Sequence, residues 1–198
     1  MRKIIFSAFI FAGFFLTSIV SCNNADTKKE NTTGTTAAIS NDSLLKRGEY
    51  LIHVGGCDHC HTPKKMGPNG PEPDMDNRFA GYPADRPFGK IDSNLIKNGK
   101  IVFSGDLLAA AGPWGVSFGA NISGDDTGLG TWTLDQFKKA FQEGKWKGMD
   151  GSRTLLPPMP WQDFKAMTND DVAAIFAFLK ASKPIKNIEP APKQLSEL

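Results

Sequence analysis

A mostly α-helical domain with a loop-rich middle is predicted here on three observations. Amphipathic helical segments stand near both ends of the stretch from Asn41 to Leu198, with a third between them. The first of them stops directly before the run Cys57-Asp58-His59-Cys60-His61. Between Thr62 and about Phe118, turn residues dominate and only short apolar runs occur. With 20 Gly and 13 Pro in 198 residues, the chain should fold into a loop-rich body.

The first helix is expected from about Ser43 to Val54. Asn41, Asp42 and Ser43 are its candidate N-caps. Leu44, Leu45, Gly48, Leu51 and Ile52 recur at helical spacing, and Gly55-Gly56 ends the segment. The middle helix is expected over Leu134–Glu143. Thr133 and Gln136 form its capping box, Phe137, Ala140 and Phe141 its buried face, and Gly144 its stop. The last helix is expected over Asn169–Ala181. Thr168 and Asp171 resemble a capping box with Asp in place of Glu, and Val172, Ile175, Phe176 and Leu179 share one face. Within the loop-rich region, Ile101-Val102-Phe103 and Gly115-Val116-Ser117-Phe118 are suited to pair as a small β-hairpin, and Pro68 to Asp74 is turn-rich.

Cys57-Asp58-His59-Cys60-His61 has the C-x-x-C-H spacing of c-type haem attachment. Two thiols three positions apart on one helical turn can each add to a vinyl group of the same porphyrin. His61 then lies under the iron and supplies a ring nitrogen. A thioredoxin-like dithiol would need a βαβ pattern nearby, and a zinc site would need further Cys or His ligands; neither is evident. One such motif means one covalently attached haem c, a large apolar object for a loop-rich chain to pack around.

The third cysteine, Cys22, belongs to the N-terminal region. Arg2 and Lys3 precede an apolar run from Ile4 to Phe15 that is short for a membrane span and reads as a signal peptide over residues 1–21. Ile19-Val20-Ser21-Cys22 resembles a bacterial lipobox, which implies cleavage before Cys22 and a lipidated thiol. Residues 22–40 are polar and Thr-rich and read as a flexible tether spanning roughly 20–25 Å. This predicts a lipid-anchored protein of the bacterial cell envelope, facing the periplasm. Without Arg2 and Lys3, Lys+Arg and Asp+Glu are equal at 21, so nucleic-acid binding has no electrostatic support.

The order of helix, C-x-x-C-H, loops, middle helix, Met loop and last helix resembles the class I cytochrome c fold. The matching segments are Arg47-Gly48-Glu49-Tyr50-Leu51 in the first helix and Phe176-Ala177-Phe178-Leu179-Lys180 in the last. The resemblance covers residues 43–63 and about 119–188. It is nearest to cytochrome domains that occur alone or duplicated in dihaem subunits of membrane-associated dehydrogenases. It implies a helical domain, residues 41–198, around a covalent haem, with residues 62–118 as a loop-rich insertion.

In that family Met159, within Leu155-Leu156-Pro157-Pro158-Met159-Pro160-Trp161, matches the loop that supplies the second axial ligand opposite His61. Flanking prolines stiffen it. Met66, Met75, Met149 and Met167 are weaker rivals, and His53, one turn before the attachment site, is badly placed. The resemblance also implies a proline carbonyl that accepts the proximal ring N–H, with Pro63 and Pro68 as equal candidates. Arg153 suits a haem propionate but equally a solvated surface, and Trp132, Trp146 and Trp161 suit either the haem wall or the core. The insertion reads either as a docking or shielding flap or as an elaboration without a separate role. The acidic turn Asn121 to Gly128 lacks calcium-loop spacing.

With both axial positions filled by protein, the expectation is a one-electron carrier rather than an enzyme. Its partners would be membrane redox proteins: a dehydrogenase, a respiratory complex or a terminal oxidase. The alternatives are a peroxidase-like haem enzyme or a gas or redox sensor with an open sixth position.

Overall fold

The computed structural model describes residues 40–197. The signal peptide, the lipidated Cys22 and all of the tether but Ser40 lie outside the described residues. Helix α1 spans Asn41–Val54 and starts two residues earlier than expected. The cap is Ser40, whose extended backbone lets its Oγ accept the Ser43 N–H at 3.3 Å, so Asn41, Asp42 and Ser43 are free to be helical. The Gly55 N–H closes the helix on the Leu51 carbonyl at 2.8 Å. Gly56, at φ +66°, reverses the chain into the single turn α2, Cys57–His61.

The turn-rich segment after α2 forms a hairpin of β1, Lys64–Gly67, and β2, Gly70–Pro73, with Gly67 opposite Gly70. After the short helix α3, Ser93–Lys97, comes an antiparallel sheet of β3, Val102–Phe103, β4, Ala109–Gly112, and β5, Gly115–Phe118, in the order β3-β4-β5. The expected direct pairing of Ile101–Phe103 with Gly115–Phe118 is thus corrected, because β4 lies between them. Ala109-Ala110-Ala111 has little strand propensity. It is a strand because both its faces are buried and both its edges are paired.

Helix α4, Leu134–Glu143, has the expected capping box, and its stop Gly144 sits at φ +70°. Helix α5, Asn169–Ala181, is capped by Thr168, whose Oγ1 accepts the Asp171 N–H at 3.1 Å. Helices α1 and α5 cross at Gly48, where a Cβ would lie 2.1 Å from the Ala174 carbonyl oxygen, so only glycine permits this approach. Leu51 and Ile52 of α1, Phe137 and Phe141 of α4, and Val172, Ile175 and Leu179 of α5 build the main core.

Phe79, from within the 62–118 stretch, completes that core. It is fully buried at φ +68°, a costly conformation for a bulky residue, and it meets Phe178 edge-on. After α5 the chain returns as an extended strap. Lys193 bridges to Val116 of β5, and Asn187 Nδ2 donates to the carbonyls of Ala80 and Tyr82 at 2.7 and 2.8 Å. Among the described residues, no helix is long and apolar enough to cross a membrane.

Candidate haem-binding site

Cys57, Cys60 and His61 share the single turn of α2, half-buried, and the two thiols are not bridged to each other. Burial, with the charge of Asp58 second, pushes the Cys57 thiol up to about 11, and burial also raises Cys60. A redox dithiol works through a lowered thiol pKa, so this pair is poorly suited to disulfide exchange.

The His61 ring is oriented by the Ala120 carbonyl, 2.8 Å from Nδ1. A carbonyl only accepts, so Nδ1 carries the proton and the Nε2 lone pair is free for a ligand. Burial lowers the His61 pKa against the opposing Ala120 bond, which keeps the imidazole neutral, the form that binds metal. The expected Pro63 or Pro68 acceptor is corrected. The Pro63 carbonyl takes the Asp74 N–H at 2.8 Å, and Pro68 is exposed in the β1–β2 turn. Ala120 reaches the ring because residue 119 is Gly: a Cβ there would lie 2.0 Å from the Cys60 carbonyl oxygen.

The turn itself is clamped. Arg78 donates to Asp58 through Nε at 2.9 Å and Nη2 at 2.8 Å, with both side chains largely buried. Thr62 Oγ1 donates to Asp58 at 2.8 Å and accepts the Phe79 N–H at 3.1 Å. Burial pushes the Asp58 carboxyl up, but the bonds from Arg78 and Thr62 and the Arg78 charge outweigh it, and its pKa is lowered. Lys64 Nζ donates to the carbonyls of Asp58 and His59, both at 3.0 Å, and of Thr62, which satisfies the C-terminal end of the turn.

Met159 is partly buried and packs on the main core, as Cys57 does. Its loop lines a cleft of about 480 Å³ formed by Thr154, Leu155, Pro157, Pro158, Met159, Pro160, Trp161 and Gln162. Trp161 rests on Gly144, where a Cβ would come within 2.4 Å of the indole. Ser117 Oγ donates to the Pro157 carbonyl at 2.5 Å. The stretch Ser117–Ala120 therefore touches the Met159 loop at one end and the His61 ring at the other.

Among the rivals, Met66 is 79% exposed, Met75 and Met149 are also exposed, and Met167 packs on the core. His53 is exposed on α1. Arg153 lies at the foot of the Met159 loop. It stacks over Trp146, 5.0 Å from the ring centroid, and its Nη1 donates to the Thr154 carbonyl at 3.0 Å. Trp132 packs against the core. Unbridged, half-buried thiols on one turn, a neutral imidazole with a free Nε2, and a thioether packed on the same core as Cys57 form a donor set that fits a c-type haem.

Five residues that shape the site were not evident from the sequence: Thr62, Arg78, Ser117, Ala120 and Asn121. Only Asn121 carried a signal: an Asn two residues before Ser is an Asx-turn pattern, and Asn121 Oδ1 accepts the Ser123 N–H at 3.0 Å.

The fold and site are those of a mostly helical domain with a haem-type C-x-x-C-H turn, and the similar proteins agree with that class. No protein-family model matches the chain. Over 140 residues, 70% of its length, it is 31% identical to the gluconate 2-dehydrogenase cytochrome c subunit of Pantoea cypripedii, of which this is 23%. Over 155 residues, 77% of its length, it is 28% identical to the cytochrome c subunit of alcohol dehydrogenase (quinone) from Gluconobacter oxydans, 24% of that protein. Over 181 residues, 90% of its length, it is 27% identical to the fructose dehydrogenase cytochrome subunit of Gluconobacter japonicus, 29% of that protein. The chain thus spans less than a third of each of these relatives.

Proposed function

We propose that this protein is a one-electron carrier of the bacterial cell envelope and not itself an enzyme, holding one haem c through Cys57 and Cys60. His61 Nε2 and the Met159 sulfur would hold its iron, and Arg153, with guanidinium N–H groups left over beyond its bond to Thr154, would pair with a propionate. When bound, the haem supplies a ferric/ferrous couple, and thioether ligation in an apolar shell favours the ferrous state. The protein's contribution is orientation and dielectric. The α2 turn presents both thiols, Ala120 sets the ring, and the proline-rich loop brings Met159 to the cleft. Lipidation of Cys22 keeps the domain at a membrane on the periplasmic side. There it exchanges electrons with a membrane dehydrogenase, respiratory complex or terminal oxidase, a partner class that the names of the similar proteins support.

The observation that carries this reading is the His61 Nδ1 bond to Ala120, which leaves a neutral, oriented Nε2 one residue beyond a pair of unbridged thiols. The test is optical spectroscopy of the holoprotein beside Met159→Ala. A weak near-infrared band of sulfur-bound ferric iron, lost in the variant, with no carbon monoxide binding to the wild-type ferrous form, supports the carrier. No such band and ready carbon monoxide binding would put an enzyme or sensor first.

A further inference from the structure

We propose that Asn121 is a positioning residue for the His61 imidazole, through which the strap after α5 tunes the proximal side of the site; this rests on the reading of His61 as an iron ligand. Asn121 follows the Ala120 carbonyl directly and is 5% exposed. Its Nδ2 donates to the carbonyls of Ile185 at 2.7 Å and Asn187 at 3.1 Å and lies 3.1 Å from Thr127 Oγ1. Its Oδ1 takes the Ser123 N–H, and its backbone N–H reaches Glu189 Oε2 at 3.3 Å. Rotating this amide would leave buried polar groups unpaired.

The opposite side of the Ala120 peptide is also closed. The Tyr82 N–H donates to the Gly119 carbonyl and the Gly81 N–H to the His61 carbonyl, both at 2.8 Å. A Cβ on Gly81, at φ +74°, would come within 2.5 Å of the Ala120 carbonyl carbon. Asn187 ties the two sides together, because its side chain holds Ala80 and Tyr82 while its carbonyl holds Asn121.

The acceptor of the His61 ring proton is therefore fixed between residues 80–82 and the strap. A carbonyl held in line with Nδ1–H makes the imidazole a more basic ligand, which favours ferric iron. Loosening that carbonyl should favour ferrous iron.

The test is redox titration of the holoprotein, with NMR of the ferrous form to follow exchange of the His61 ring proton. Asn121→Ala should shift the ferric/ferrous equilibrium about fivefold toward ferrous, about 40 mV at 59 mV per tenfold, and speed ring-proton exchange. Ser182→Ala removes a bond from the same loop, that to the Gly124 N–H at 3.2 Å, but leaves residues 119–121 untouched, and it should shift neither. If Asn121→Ala does not load haem, Thr127→Val replaces it, with a shift of the same sign and about twofold. An unmoved potential in a loaded variant, or an equal shift in Ser182→Ala, overturns the inference. A wild-type chain that attaches no haem at Cys57 and Cys60 overturns the function reading beneath it instead.

Discussion

On the His61 side of the candidate site, the chain is clamped by polar contacts from distant residues. Arg78 grips Asp58, Thr62 links Asp58 to the Phe79 backbone, and Ala120 holds the ring. On the Met159 side, the loop is held mainly by backbone and packing: the Leu155 N–H bonds the Gly144 carbonyl at 2.7 Å, Trp161 rests on Gly144, Met159 packs on the core, and one side-chain bond comes from Ser117, beside an open cleft. The first side is held by contacts within the protein. The second has fewer polar side-chain contacts, so it should tighten when a large apolar group fills the cleft. Under the proposed function, the firm side would set the His61 ligand and the looser side would supply a weaker thioether bond.

The strongest way to break this comparison is Phe79→Ala. Phe79 joins the clamp to the main core, and its loss should cost about 3–5 kcal/mol and lower Tm by roughly 10 °C. Calorimetry should give a similar loss with and without haem, because the contacts that Phe79 joins lie within the protein. A loss confined to the loaded protein would contradict that.

Arg78→Gln comes next, at about 2 kcal/mol, because it strands a largely buried carboxylate. Its signature is in pH. The Asp58 carboxyl is lowered in the folded protein, so its stabilisation is complete above the unfolded value of about 3.9 and fades as pH falls through the folded value. Without Arg78, burial pushes that carboxyl up, and the acid unfolding midpoint should move to higher pH, readable by circular dichroism. An unchanged midpoint would remove Asp58 from the clamp.

Ser117→Ala should cost about 1 kcal/mol or less. It sharpens the comparison because its effect should appear at Met159, as a weaker near-infrared band and faster displacement by added imidazole, with the His61 ring proton unaffected. The smallest effect is expected of Arg47→Gln, which breaks the exposed bond to Asp171 between α1 and α5 at 2.9 Å and should leave Tm within error.

Some of this was legible one residue at a time. α4 and α5 have their expected ends because caps are local: Thr133, Gln136 and Gly144 act within a few residues of one another, as does Thr168 with the Asp171 N–H. α1 missed by two because Ser, Asn, Asp and Ser stand in a row, and only the backbone decides which one stays extended. Gly48 was legible in the sequence only through the match of Arg47-Gly48-Glu49-Tyr50-Leu51 to a family's first helix; the contact with Ala174 that it permits is tertiary.

By itself, the sequence determined α1, α4 and α5 to within two residues, the C-x-x-C-H turn with its two thiols and adjacent imidazole, and the place of Met159 in a proline-rich loop. Each is written in residues that are neighbours along the chain. Only the tertiary structure decided that β4 separates the two apolar runs and that Phe79 belongs to the main core. It also decided that the His61 proton goes to Ala120 and that the last segment of the chain holds that carbonyl through Asn121. A backbone carbonyl has no side-chain identity, and an all-alanine strand has no periodicity. Their roles come from which distant segments meet once the core has closed.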